Sequence, residues 1–297
     1  MKILVSGLVN IETTAAVRGF PIDYYPIDYP FFGVGSNVSG VGYNIAKALT
    51  TLGDDVSLYT FVGKDEEAQR ILDRMSKDGI DSKNVIQKLQ STPASVVLYD
   101  PDGRRQIYCD LKDIQDQKLG FDRAESDLLS CDAAALCNIG FNRELIAEAH
   151  SRDVLTATDV HVLSNVDDEY NRDFMINADI LFLSDEKLPC EPESFIRKLA
   201  ARYHNRIIVI GMGAKGAMLY DDVDGSVHTI PAYAGAKVVN TVGAGDALFS
   251  SFLHFYLKSG DAKAALQRAV IFAGVKIGSS GASVGFAQEA EIEAVVK

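Results

Sequence analysis

Apolar runs of four to eight residues recur along the chain, separated by stretches whose apolar residues fall at helical spacing. Residues 2–6, Lys-Ile-Leu-Val-Ser, form the first run and stop at Gly7, the pattern of a buried parallel strand. A helix opens at 39–44, runs through Ala46, Leu49 and Leu52, and meets Gly53 as a C-terminal cap. Residues 55–62 read as the next strand, and a helix over 66–78 closes at Gly79. Further strands are expected at 133–139, 155–160, 180–183 and 206–211, with helices such as 143–150 and 192–203 between them. Residues 217–220 read as a short strand, and 236–239 as an extended run leading into a helix over 247–258. The final segment, 262–297, is mainly helical, with a Gly-Ser-Ser-Gly break at 278–281. Alternation of this kind predicts an α/β, doubly wound, mostly parallel sheet with helices on both faces.

Two segments depart from the rhythm. Residues 20–35 are rich in Pro, Tyr and Phe, and the prolines confine them to loop or edge strand. Residues 93–100 and 104–109 are extended runs around Pro101-Asp102-Gly103, a hairpin turn. A hairpin inside an α/β rhythm projects from the main sheet. Residues 10–36 and 93–110 are therefore expected to build a small β lid on a single domain spanning 1–297. The aromatic residues Tyr24 to Phe32 suit a lid, a homodimer contact through the lids, or a loop packed on its own core.

The chain has 297 residues, 47% of them hydrophobic and 24% charged, as a globular domain of this size should. Its formal charge of −12 argues against nucleic acid or an anionic membrane surface as partner. No run is long enough to span a bilayer, and residues 1–7 are too short and too soon broken for a signal peptide. Cys109, Cys131, Cys137 and Cys190 form no CxxC pair and no zinc spacing with histidine. A reducing cytoplasm is the expected compartment.

Candidate chemistry concentrates in Asn240-Thr241-Val242-Gly243-Ala244-Gly245-Asp246. A chain that passes through tight glycines into a helix leaves unpaired N–H groups at the positive end of the helix dipole, which suits an anion. Gly243 and Gly245 keep side chains clear of it. A carboxylate at its mouth is repelled by a resident anion, unless it takes a proton from an incoming hydroxyl. The residues alone also fit an ordinary turn with Asp246 as a helix cap.

The stretch closely resembles the C-terminal signature of the PfkB, or ribokinase-like, carbohydrate kinases, usually Asp-Thr-x-Gly-Ala-Gly-Asp. Gly7 to Glu12, Ser39 to Asn44, Gly63-Lys64-Asp65, Gly79-Ile80-Asp81, the 101–103 turn and Gly211 to Gly216 follow in familial order, covering about residues 2–285. The resemblance implies a three-layer fold with a β lid and phosphoryl transfer from ATP to a hydroxyl of a sugar or sugar derivative. By that match Asp246 is the catalytic base, and Gly243, Ala244 and Gly245 form the anion hole. Asn10, Glu12, Gly40, Gly42 and Asn44 hold the acceptor. Thr241, Gly213, Gly216, Ser184 and Lys187 lie on the nucleotide side, with 270–285 nearby. Glu186 is the candidate ligand for Mg2+.

Three positions depart from the family pattern. Asn240 replaces the usual Asp, which removes a charge and leaves monovalent-cation binding beside the loop open. Glu12 stands where Asp is usual, which leaves the choice of acceptor open. Ser184-Asp185-Glu186-Lys187 replaces Asn-x-x-Glu, exchanging an acid for Lys187 where the family organises magnesium. A nucleoside acceptor and a non-catalytic sugar- or nucleotide-binding regulator are the alternatives. Gly211 to Gly216 also satisfies GxGxxG, but a strand rather than a helix follows it, against a dinucleotide fold. No GxxxxGK[ST] is present. His161, after a strand and beside Asp159, is read as structural.

Overall fold

The computed structural model describes residues 1–235 and 237–296. Its strands are β1 (Lys2–Ser6), β2 (Asn10–Ala16), β3 (Val34–Ser39), β4 (Asp55–Val62), β5 (Val85–Gln87), β6 (Ala94–Tyr99), β7 (Arg105–Asp110), β8 (Ala133–Leu136), β9 (Thr156–Val162), β10 (Ile180–Ser184), β11 (Ile207–Gly211), β12 (Ala217–Asp221) and β13 (Ser226–Ile230). Its helices are α1 (Val41–Leu52), α2 (Glu66–Lys77), α3 (Phe121–Ser130), α4 (Arg143–His150), α5 (Arg172–Ile176), α6 (Pro192–Tyr203), α7 (Ala244–Ser259), α8 (Ala262–Lys276) and α9 (Glu289–Val296).

Nine strands form one sheet in the order β13-β12-β11-β10-β9-β8-β1-β4-β5. Pairing is parallel from β5 to β11, and β12 and β13 turn antiparallel at the edge. Central strands read as continuous apolar runs because both faces are covered: Leu4, Val5, Ala133 to Leu136 and Ile207 to Ile210 are buried. One helical layer holds α1, α7 and α8, the other α3, α4, α5 and α6. Helix α7 is buried from Ala247 to Tyr256, wedged between α1, α8 and the sheet, where Phe182 meets Phe249 and Phe252 edge to face. Helix α2 is amphipathic: the Asp65 carboxylate caps it by accepting from Ala68 N (2.9 Å), while Ile71 and Met75 face inward.

The chain leaves β1 toward β4 and leaves β8 toward β9, in opposite directions along the sheet. The crevice beyond the carboxyl ends of β1 and β8 is thus the topological switch point, where open α/β sheets take ligands.

A second sheet, in the order β3-β2-β6-β7, stands apart from the first and is built from 10–39 and 94–110. Residues 17–33 between β2 and β3 carry no strand, and Tyr24, Phe31 and Phe32 are exposed there.

Two expected boundaries are corrected. The extended run expected at 236–239 includes Ala236, outside the described residues, and 237–239 form no strand. Their backbone is held instead by the end of a helix, with Val239 N and Asn240 N both donating to Ile277 O (2.8 and 3.1 Å). Helix α7 begins at Ala244 rather than 247, which puts Asp246 inside its first turn.

Candidate active site

The ends of β1 and β8 are tied together by Asn142. Its Nδ2 donates to Ser6 O (2.8 Å) and Cys137 O (2.9 Å), and Ser6 Oγ donates to its Oδ1 (2.5 Å). Helix α1 enters against this junction through main-chain contact. A Cβ on Gly42 would lie 2.6 Å from the Gly7 carbonyl carbon, and one on Gly40 2.5 Å from Leu8 O. The space kept clear by Gly40 and Gly42 is therefore filled by residues 7–9, not by an open cavity for a polyol. That close approach brings Asn44, in the first turn of α1, over the strand ends.

The loop before α7 is braced from within. Asn240 Oδ1 accepts from Val242 N (2.8 Å), an Asx turn that uses the amide at this position without a charge. Gly243 caps the helix at φ 78, a left-handed geometry, with Ala282 O 2.5 Å from where its Cβ would stand. Ala244 N donates to Thr241 O (3.2 Å), so this amide is engaged in a turn. Among the described residues the N–H groups of Gly243, Gly245 and Asp246 have no acceptor. These open donors at the start of a sixteen-residue helix make the loop an anion site.

Asn44 Nδ2 donates to Asp246 Oδ2 at 2.7 Å, joining α1 to α7 across the crevice. Ser39 Oγ lies 3.3 Å from Glu12 Oε2 and 3.5 Å from Asn44 Oδ1. Asn10 Nδ2 donates to Ser95 Oγ (3.0 Å), while its buried Oδ1 has no partner among the described residues. Asn10, Glu12, Asn44 and Asp246 thus form one polar group lined by the first strand-turn, α1 and α7. Burial pushes the Asp246 carboxyl up, and Asp159 adds to this; the Asn44 hydrogen bond, His161 and Lys276 oppose it. Burial likewise raises Glu12, partly offset by Ser39, with Asp246 raising it further. A carboxylate with an elevated pKa in a crevice is suited to accepting a proton.

The nucleotide-side candidates cluster at neighbouring strand ends. Asp185 N donates to Gly211 O (2.9 Å), which sets the 184–187 turn after β10 beside the 211–216 turn after β11. The second turn needs Gly216: at φ 98 its Cβ would lie 2.0 Å from Ile230 O. Gly213 is also left-handed, at φ 54, but faces open space. Ser184 Oγ accepts from Glu186 N (3.2 Å), and Glu186 and Lys187 are exposed. No group of three His, Cys, Asp or Glu side chains able to hold a metal ion occurs among the described residues.

Four residues near the loop belong to no motif that would assign them to it from the sequence. Arg105, on β7 of the second sheet, donates from Nη1 to Thr241 Oγ1 (3.1 Å) and so reaches the glycine loop across 136 positions. Asp159 and His161 end β9 close enough to Asp246 to act on its charge, and His161 adopts φ 61 where β9 slips register against β10. Lys276 sits beneath the loop. A left-handed histidine on a strand is visible only in three dimensions, and Arg105 is one of two arginines in an otherwise ordinary hairpin.

A sequence profile of the pfkB family carbohydrate kinases matches residues 1–289. The chain belongs to that family. It is an ATP-dependent sugar kinase, a phosphotransferase with an alcohol acceptor. Among pfkB relatives, a deoxyribokinase of Salmonella typhi is 27% identical over 95% of this chain and 94% of its own. An ATP-dependent ribose-1-phosphate kinase of Halopiger xanaduensis is also 27% identical, over 95% and 94%. The solved structure of a microbiome-derived acarbose kinase superposes with a TM-score of 0.87 at 22% identity, covering 99% of this chain and 98% of that one. A Giardia lamblia ribokinase gives 0.83 at 17%, over 99% and 98%. At these identities the two structures establish the ribokinase-like fold.

Proposed function

We propose that Asp246 is the general base in transfer of the γ-phosphoryl group of ATP to a hydroxyl of a small sugar. The observation that carries this reading is the position of a half-buried carboxylate in the first turn of α7, beside three amides that have no acceptor among the described residues. The acceptor lies among Asn10, Glu12 and Asn44, its hydroxyls meeting the free Asn10 Oδ1 and the Glu12 carboxylate. The reacting oxygen gives its proton to Asp246 as it bonds to the γ-phosphorus, and the bond to the β-phosphate oxygen breaks to release ADP. The N–H groups of Gly243 and Gly245 stabilise charge on the transferring group, and Arg105 approaches it from the second sheet. Gly40 and Gly42 serve this site indirectly, by letting α1 seat Asn44.

The adenine nucleotide extends toward the 184–187 and 211–216 turns, with Thr241, Gly213, Gly216, Ser184 and Lys187 along it. Magnesium favours phosphate oxygens, waters and one or two carboxylates. Exposed Glu186 beside Asp185 fits such a water-mediated ion carried in by the nucleotide, whose charge it would neutralise. The second sheet acts as a lid that excludes water. The exposed aromatics of 20–34 support a homodimer through the lids. Four unpaired cysteines and the need for ATP support the cytoplasm.

Glu12 reaches about one C–C bond, roughly 1.5 Å, further than an Asp at this position, so the acceptor is smaller there or set deeper than ribose. Mass spectrometry of acceptors after incubation with ATP tests the reading, across deoxypentoses, pentoses, hexoses, their phosphates and nucleosides. A single added phosphoryl group on a sugar is expected. Phosphorylated nucleosides alone would replace the acceptor class, and no product with any acceptor would leave a binding protein.

A further inference from the structure

Lys276, the last residue of α8, is fully buried in an apolar stretch, between Val275 and Ile277. Among the described residues no carboxylate lies within ion-pair distance of it. Its ammonium donates instead to two main-chain oxygens, that of Val242 and that of Gly281 (2.9 Å). Asp246 and Glu12 act on it only through space. A buried ammonium without a paired carboxylate is costly to keep, so a fold that keeps one has a use for it.

The two acceptors belong to the two segments that shape the anion site. Val242 is in the neck of the glycine loop. Gly281 lies in the 278–285 turn, which packs under that neck: Ala282 and Val242 share a small buried cluster with Val97, and Ala282 O crowds Gly243. Carbonyl oxygens from separate segments converging on one positive centre form the kind of site that takes a monovalent cation. Asn240 spends its side chain on the Val242 amide and brings no negative charge to such a centre.

We propose that the Lys276 ammonium is the resident cation of this loop, tethered to the chain, so that the kinase works without an added monovalent ion. Lys276 is a positioning residue: it fixes the carbonyls of Val242 and Gly281, and through them the donors of Gly243 and Gly245. It also adds positive charge beneath the transferring group. The proposal rests on the kinase reading above.

The test compares the native protein with Lys276→Ala and Lys276→Met, in buffers whose only cation is tetramethylammonium and in the same buffers with potassium, ammonium or methylammonium. The native protein should show the same kcat in all of them. Lys276→Ala, which opens a cavity, should lose about a hundred-fold in kcat, a loss typical of misplaced donors, with little change in KM. It should recover with ammonium or potassium. Lys276→Met, with the cavity filled, should lose activity and not recover. Melting supplies a readout independent of turnover: potassium should raise the melting temperature of Lys276→Ala and leave the native protein unmoved. Strong potassium activation or stabilisation of the native protein would overturn the inference while leaving the kinase reading intact. A folded Lys276→Ala that is fully active without added cation, or that no cation restores, would overturn it as well.

Discussion

At the scale of single residues, Asp246 stands in a place that disfavours its charge. Burial raises its pKa from 3.8, and the Asn44 hydrogen bond only partly offsets this. A group whose folded pKa is raised contributes stability that is fully present below the unfolded value and lost as pH rises through the folded one. Where the carboxylate is ionised its charge therefore destabilises the fold, and Glu12, shifted the same way, adds to this. Asp246→Asn should leave the melting temperature at pH 7 unchanged or higher, read by differential scanning fluorimetry. The acidic limb of the kcat profile should fall above the ordinary carboxylate range, since the base acts only when ionised. Lys276 carries the opposite dependence. Burial pushes it down to about 8, with Asp246 and Glu12 raising it and Arg105 lowering it. The native kcat should decline above about pH 8 as the ammonium discharges, and that limb should be missing from the residual activity of Lys276→Met. Between there and the unfolded value of 10.5, the Lys276 contribution to stability should rise, because the unfolded chain then binds more protons.

At the scale of elements, the site is a junction of turns, and its parts were unequally legible. The βα alternation could be read because parallel strands covered on both faces are uniformly apolar; residues 143–150 and 192–203 coincide with α4 and α6. The glycine loop could be read because its spacing is itself the mechanism. Over 237–239 no strand forms because the backbone is held by Ile277 O, a partner that periodicity does not reveal, while Val238 and Val239 keep their side chains exposed. Gly42 looked like part of a sugar site, yet the atoms it yields to are those of Gly7, 35 positions away. Gly42→Ala should cost about 1–3 kcal/mol of unfolding free energy by overpacking. Denaturant titration would show it, and a variant as stable as the native protein would refute the close approach. Lys276 is not legible in the sequence because a lysine at the end of a helix usually points to water.

At the scale of the whole molecule, a nine-stranded sheet supplies the crevice and a four-stranded sheet supplies groups that reach it, Asn10 and Glu12 from β2 and Arg105 from β7. The aromatic face of 20–34 leaves Tyr24 88% and Phe31 85% exposed, more than an isolated chain comfortably shows to water. Sedimentation at micromolar concentration should give a dimer, and Phe31→Asp should shift it toward monomer; a monomeric native protein would remove the lid contact. The central claim is that one carboxylate, beside open main-chain amides, takes the proton of a sugar hydroxyl. Its most direct test is the rate of ADP formation from ATP, with and without a sugar acceptor that the native protein phosphorylates, for native and Asp246→Asn protein side by side. ADP formation should depend on the acceptor and fall about a thousand-fold in the variant. Equal rates from the two proteins, or ADP formed regardless of acceptor, would contradict it.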